Sequence, residues 1–168
     1  METFFTKNND SLLFITIAET SVDKKILKLI TNARIGHLTT ASSNLQSYVT
    51  PVVFILYQNN IYVPLDDKPK TVSVKELRRV KNIEENPKVS FLVDHYEEDW
   101  RNLWFVMIIG YAMLVKPNRR TQGLRKEISK IHTKFLKKYS QYNKISVGNF
   151  YIRIKIDKTT YWKYTQVK

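Results

Sequence analysis

The sequence predicts a mainly β fold with helices, a largely antiparallel barrel that carries its helices on the outside. Two successive hairpin-like patterns lie between Ile35 and Leu65. Short helical patterns interrupt the later strands, and a final strand, FYIRIKI, returns near the C-terminus with regular alternation. Together these favour strands paired antiparallel around one core over a parallel sheet with crossover helices.

An N-terminal arm, residues 1–20, precedes a single domain over 21–168. Ser21 is placed to cap a short helix through Thr31, with Val22, Ile26, Leu29 and Ile30 on one side. ARIGHLTTAS then reads as a strand from Ile35 to about Ala41, and Ser42, Ser43 and Asn44 form a polar turn. SYVTPVVFILYQ is a second strand, turned at Gln58-Asn59-Asn60 into a third, IYVPL. Pro51 and Pro64 each remove a ladder donor, which puts them at an edge, a bulge or an opening in the sheet. From Thr71 to Glu85, Val74, Leu77, Val80 and Ile83 recur at three-residue intervals, a helix with one buried stripe that Pro87 ends. Val89–Asp94 is the fourth strand, and Leu103–Val115 the fifth, stopped by Pro117. Leu124, Ile128, Ile131, Phe135 and Tyr139 mark one face of a helix from about Thr121 to Tyr139. In the sixth strand, Phe150–Ile156, Tyr151, Arg153 and Lys155 alternate with Phe150, Ile152, Ile154 and Ile156.

Composition narrows the chemistry. The 168 residues suffice for one domain with a real core, and 43% hydrophobic against 26% charged residues argues against wholesale disorder. With no cysteine, disulfides, thiolate metal sites and cysteine nucleophiles are all excluded. The 28 Lys and Arg against 15 Asp and Glu give +13, which suits an anionic partner: nucleic acid, a phosphorylated cofactor or a membrane surface. A lysine-rich solvated surface explains the same surplus. The N-terminus lacks the pattern of a signal peptide, and no apolar run approaches the roughly 20 residues of a membrane span. A soluble, cytoplasmic protein is expected.

Familiar catalytic motifs are missing. No G-x-S-x-G elbow, P-loop or G-x-G-x-x-G occurs, and the chain holds only four glycines. His37, His95 and His132 fall in separate elements without metal-ligand spacing, and Glu97, Glu98 and Asp99 read as a solvated loop. The basic cluster is more specific. Lys75, Arg78, Arg79, Lys81 and Lys88 surround one helix-to-strand junction, with Lys68 and Lys70 flanking Pro69 in the preceding loop. Arginine can grip a phosphate with two hydrogen bonds, and a helix start favours an anion. An exposed basic helix face without a ligand is the competing reading. Tyr96, Trp100, Trp104 and Phe105, and later Tyr161, Trp162 and Tyr164, are placed either to stack on a planar cofactor or to fill the core.

ARIGHLTT, SYVTPVVF, DDKPKT, LRRVKNIEENPKVSFLVDHYEEDWRNLWFV and YIRIKIDKTTYWKY, in that order, resemble the pyridoxamine-phosphate-oxidase-like split-barrel superfamily. The branch they resemble most comprises oxidoreductases that use the deazaflavin coenzyme F420, and its relatives use FMN. The similarity spans roughly Lys24 to Tyr164, and LVDHYEEDW followed by LWFV is its most specific element. It implies a six-stranded split barrel, homodimeric, with cofactor sites in clefts between subunits. It implies a phosphate clamp at Arg78 and Arg79, with Lys68 and Lys70 approaching the same phosphate or the tail beyond it. Thr50, Pro51 and Val52, and the neighbouring Val63 and Pro64, are implied to border the flavin-like ring. Trp100 matches an aromatic position near the ring, and Trp162 a C-terminal aromatic that returns toward the partner subunit. Two departures stand out. Pro64 replaces a hydroxyl residue common in FMN-binding relatives, and Thr50 stands where the FMN-dependent oxidase carries arginine, which counts against that oxidase's own activity.

The leading expectation is thus a hydride-transferring oxidoreductase that uses FMN or F420 on a small substrate, no catalytic side chain being singled out. The alternatives are a flavin- or haem-binding module of the same fold without turnover, and a basic nucleic-acid-binding domain. The dispersed cations and the absence of a recognition helix or RNA-binding signature disfavour the last.

Overall fold

The computed structural model describes residues 15–18, 23–65, 73–117 and 122–164, the first of these segments as backbone only. Its strands are β1 (Ile15–Ala18), β2 (Gly36–Ala41), β3 (Ser47–Val52), β4 (Ile55–Tyr57), β5 (Asn60–Pro64), β6 (Lys88–His95), β7 (Trp104–Val115) and β8 (Tyr151–Lys163). Its helices are α1 (Lys24–Asn32), α2 (Arg78–Glu85) and α3 (Gln122–Lys138). All pairings are antiparallel. The sheet runs β3-β2-β6-β7-β8-β5-β4, and β1 joins it at β8.

That path has seven strands, not the six expected, because SYVTPVVFILYQ is two strands rather than one. The break falls at Val53-Phe54, inside an unbroken apolar run, and its consequence is topological. β3 and β4 are the two ends of the path, yet only two residues join them. Three Cα steps span at most about 11 Å, so the sheet must curl until its ends meet there. This forces a half-barrel. The corner is held from α3: the Phe54 N–H donates to the Tyr139 hydroxyl at 3.1 Å, and Lys138 Nζ donates to the Phe54 carbonyl at 3.1 Å. The Tyr139 hydroxyl lies 2.8 Å from the Phe54 carbonyl and 2.9 Å from that of Arg34, either of which can accept its proton.

Inside the curl, Leu38, Phe91, Val106, Ile108, Ile61, Ile152 and Ile154 are fully buried, and α1 plugs one end with Ile26 and Ile30. A second apolar layer lies outside it. There Ile128, Ile131 and Phe135 of α3 cover Ile55, Tyr62 and Tyr151. β5 and the start of β8 are therefore covered on both faces, which explains why IYVPL lacks polar alternation. The register of β7 with β8 skips from Ile109↔Lys158 to Gly110↔Ile156, leaving Asp157 as a bulge. Gly110 is required beside it, because a Cβ there would lie 2.2 Å from the Lys155 carbonyl oxygen.

Two helices differ from expectation. α1 is capped by Asp23, whose carboxylate accepts from the Lys25 N–H at 2.9 Å, while Ser21 lies outside the described residues. The helix expected over 71–85 is interrupted. Ser73 and Glu76 form a reciprocal capping box around a 3₁₀ turn at Val74–Glu76, Leu77 is extended, and α2 starts only at Arg78. The local cap ends the turn before it can propagate, so Lys75 and Arg79 do not share a helix face. Among the described residues, no helix is long and apolar enough to cross a membrane.

Candidate functional site

α2 is fixed by a buried polar contact. Asn82, 1% exposed, donates through Nδ2 to Thr40 Oγ1 at 3.0 Å, between the buried Val80 and Ile83. A second tie runs from the Ser43 N–H to Glu85 Oε2 at 2.9 Å, and this bond holds the Glu85 carboxyl below its ordinary range. The Ala112 N–H donates to the Pro87 carbonyl at 2.8 Å, anchoring the chain just beyond the helix. These contacts present the first turn of α2 to β3, the terminal strand of the sheet path. Arg78 there is exposed, and its guanidinium stands 5.5 Å from the centre of the Tyr48 ring. Arg79 beside it is half-buried.

Register places the other expected residues. Tyr48, Thr50 and Val52 lie opposite Thr40, Leu38 and Gly36 and share the inward side of β3, while Pro51 lies opposite His37 on the outward side. Thr50 is half-buried at the sheet edge, and Pro51 is exposed. Val52 and Val63 point into the core, and Pro64 is buried against Tyr151. Only their backbone could border a ligand. These segments flank the corner where β3 passes into β4. The structure thus brings Arg78 to Tyr48 at one edge, with Arg79 next to Arg78 in the chain and Thr50 two residues from Tyr48 on the same side of β3. A guanidinium pair, an aromatic face and a hydroxyl there can hold a phosphate next to a planar group. Lys68 and Lys70 lie outside the described residues.

Trp100 and Trp162 are elsewhere in the protomer. Trp100 lies in a 3₁₀ turn, 59% exposed, edge-on to Tyr164 at 6.4 Å. Trp162 is half-buried and stacked on Phe105 at 5.6 Å. Four strand spacings of about 4.8 Å separate β8 from β3, roughly 19 Å along the sheet. The outward side of the sheet exposes Val49 and Pro51 on β3 and Met107, Tyr111 and Met113 on β7, with His37, Thr39 and Ser90 on the strands between.

Tyr48, which meets Arg78, and Asn82, which anchors α2, do not stand out in the sequence. Alternation along SYVT would have put Tyr48 on the same side as Thr50, and Asn82 sits inside the buried helix stripe. Each is a weak signal that acquires meaning only from the neighbour across the fold.

The family model described as pyridoxamine 5′-phosphate oxidase matches residues 23–161. No curated protein matches the chain significantly. A FAD-binding protein from Mesorhizobium loti is a structural neighbour at 17% identity and TM-score 0.62, over 93% of this chain and all of the other. A conserved hypothetical protein from Mycobacterium tuberculosis aligns at 17% identity and TM-score 0.63, over 97% and 98% of the two chains. General Stress Protein 26 from Bacillus anthracis aligns at 18% identity and TM-score 0.58, over 83% and 92%. At these identities the likeness shows the fold, a split barrel of the pyridoxamine-phosphate-oxidase type.

Proposed function

The chain belongs to the pyridoxamine 5′-phosphate oxidase family, and from that premise we propose an oxidoreductase that holds FMN or coenzyme F420 at the interface of a homodimer. The observation that carries this reading is the edge formed by Arg78, Arg79, Tyr48 and Thr50 where the half-barrel closes. Arg79 and Arg78 grip the phosphate, and the backbone of Thr50–Val52 and Val63–Pro64 borders the ring. Lys68 and Lys70 extend the positive field toward an anionic tail. Hydride transfer is chemistry the bound cofactor supplies, so the protein has to bind, orient and exclude water.

The homodimer follows from two features. The apolar residues exposed on the outward side of β3 and β7 need a cover, and a second copy supplies one of matching character. Trp162, on β8 four strands from β3, and Trp100 beside Tyr164 then approach the clamp of the partner. Arg79→Ala should weaken cofactor binding by about 1.5–3 kcal/mol, the scale of a hydrogen bond to a charged group, without unfolding the protein. Calorimetric titration of wild type and variant tests this, and equal affinities would remove Arg79 from the site.

A further inference from the structure

A groove runs along the barrel rim beneath α1, away from the arginine edge. It consists of two cavities of about 360 and 320 Å³ whose walls share Leu29, His95 and Trp104. Each is the size of a small ligand pocket. α1 creates the groove: Ile26 and Ile30 are anchored in the core, so the Lys25–Leu29–Asn32 side overhangs the strand ends.

The groove holds two imidazoles, each with a carboxylate nearby. His37 Nδ1 lies 3.6 Å from Asp94 Oδ1, and His95 Nε2 lies 3.2 Å from Glu97 Oε2. Glu97 engages Nε2 of His95 and leaves its Nδ1 to meet a ligand, whereas the buried Nδ1 of His37 makes no hydrogen bond. Glu97 also accepts from Asn102 Nδ2. The cations Lys25, Arg34 and Lys163 also line the groove, and none is paired with a described carboxylate. Three cations against the carboxylates of Asp94 and Glu97 leave the lining net positive. Between the two halves, Trp104 is half-buried with its ring 20° from the plane of His95 at 6.1 Å, a flat surface suited to another ring.

We propose that this groove is a binding site for a monocyclic aromatic carboxylate. The ring lies against Trp104, the carboxylate faces Lys25 and Lys163 beside His95, and the far edge of the ring meets His37. The site shares no residue with the clamp and stands independently of the flavin reading. Its position is suggestive all the same, since His37 is opposite Pro51 across β2 and β3.

The chain has three histidines, His37, His95 and His132, and the third, on α3, serves as an internal control. The full-length protein would be titrated with nicotinate while the three imidazole signals are followed by NMR. Nicotinamide, which keeps the ring but lacks the charge, is the comparison ligand. Saturable shifts at His37 and His95 with His132 unmoved are expected, together with at least tenfold weaker nicotinate binding in the Lys25→Gln/Lys163→Gln variant. Both lysines are exposed, so the fold should tolerate the change. Equal movement of all three signals, no movement at His37 and His95, or nicotinamide binding as tightly as nicotinate would overturn the proposal.

Discussion

Tyr139→Phe is the sharpest test of how the half-barrel closes. The side chain is 1% exposed, and its hydroxyl contacts the Phe54 N–H and the carbonyls of Phe54 and Arg34. Removing one oxygen leaves the ring packed against Phe135 and Tyr142, so cavity formation contributes little. The Phe54 N–H, on a fully buried residue, loses its acceptor, which costs about 1–3 kcal/mol. The hydroxyl's own donated bond adds about 0.5–1.5 kcal/mol, while the Phe54 carbonyl keeps Lys138 as a partner. A loss of about 2–4 kcal/mol is expected. Urea denaturation should show a lower midpoint with an unchanged slope, and at about 2–4 °C per kcal/mol the melting temperature should fall by roughly 4–16 °C. A variant within about 0.5 kcal/mol of wild type, the range of an inconsequential surface substitution, would refute the closure argument.

Lys138 makes the same corner sensitive to pH. Burial, with a smaller contribution from the nearby Arg34 charge, pushes its amine down to about 8. Between that value and the ordinary 10.5 the unfolded chain binds more protons, so stability should rise with pH above about 8. The gain should be on the order of 1 kcal/mol after solvent screening, and Lys138→Met should abolish it in denaturation curves taken from pH 7 to 9.5. Above pH 10 the trend should reverse, because burial pushes Tyr139 and Tyr151 up to about 12 and the folded state then retains protons that the unfolded chain loses. Gly110→Ala should cost about 1–3 kcal/mol by forcing a Cβ onto the Lys155 carbonyl. Gly123→Ala, with nothing within 4 Å of the new atom, should instead stabilise α3 by up to about 1 kcal/mol in thermal melts. Met113→Asp on the outward face should convert the proposed dimer to monomer in analytical ultracentrifugation, and a sedimentation coefficient unchanged from wild type would count against that interface.

Much of this architecture was legible because apolar periodicity follows burial. The stripe of α3 follows the outer apolar layer, the fourth and fifth strands follow the barrel core, and the returning strand faces both. Legibility failed where a short-range pattern was overruled from elsewhere. Nothing local marks Val53-Phe54 as a break, because the hydroxyl and amine that hold it come from Tyr139 and Lys138, over eighty residues away. The helix over 71–85 read as continuous because hydrophobic spacing is blind to the Ser73–Glu76 cap. At the candidate site the arginine pair was readable from the density of cations, whereas Tyr48 and Asn82 acquire their roles only through partners across the fold. His37 stayed inconspicuous for the same reason, because the carboxylate nearest it, Asp94, lies on another strand.

The measurement closest to the central claim is a fluorescence titration of the apo-protein with FMN and with coenzyme F420 in parallel, at moderate salt, repeated with Arg79→Ala. Saturable binding of at least one cofactor, weakened about 10- to 150-fold in the variant as 1.5–3 kcal/mol requires, is the predicted result. Binding of neither cofactor, or identical binding by the variant, would contradict it.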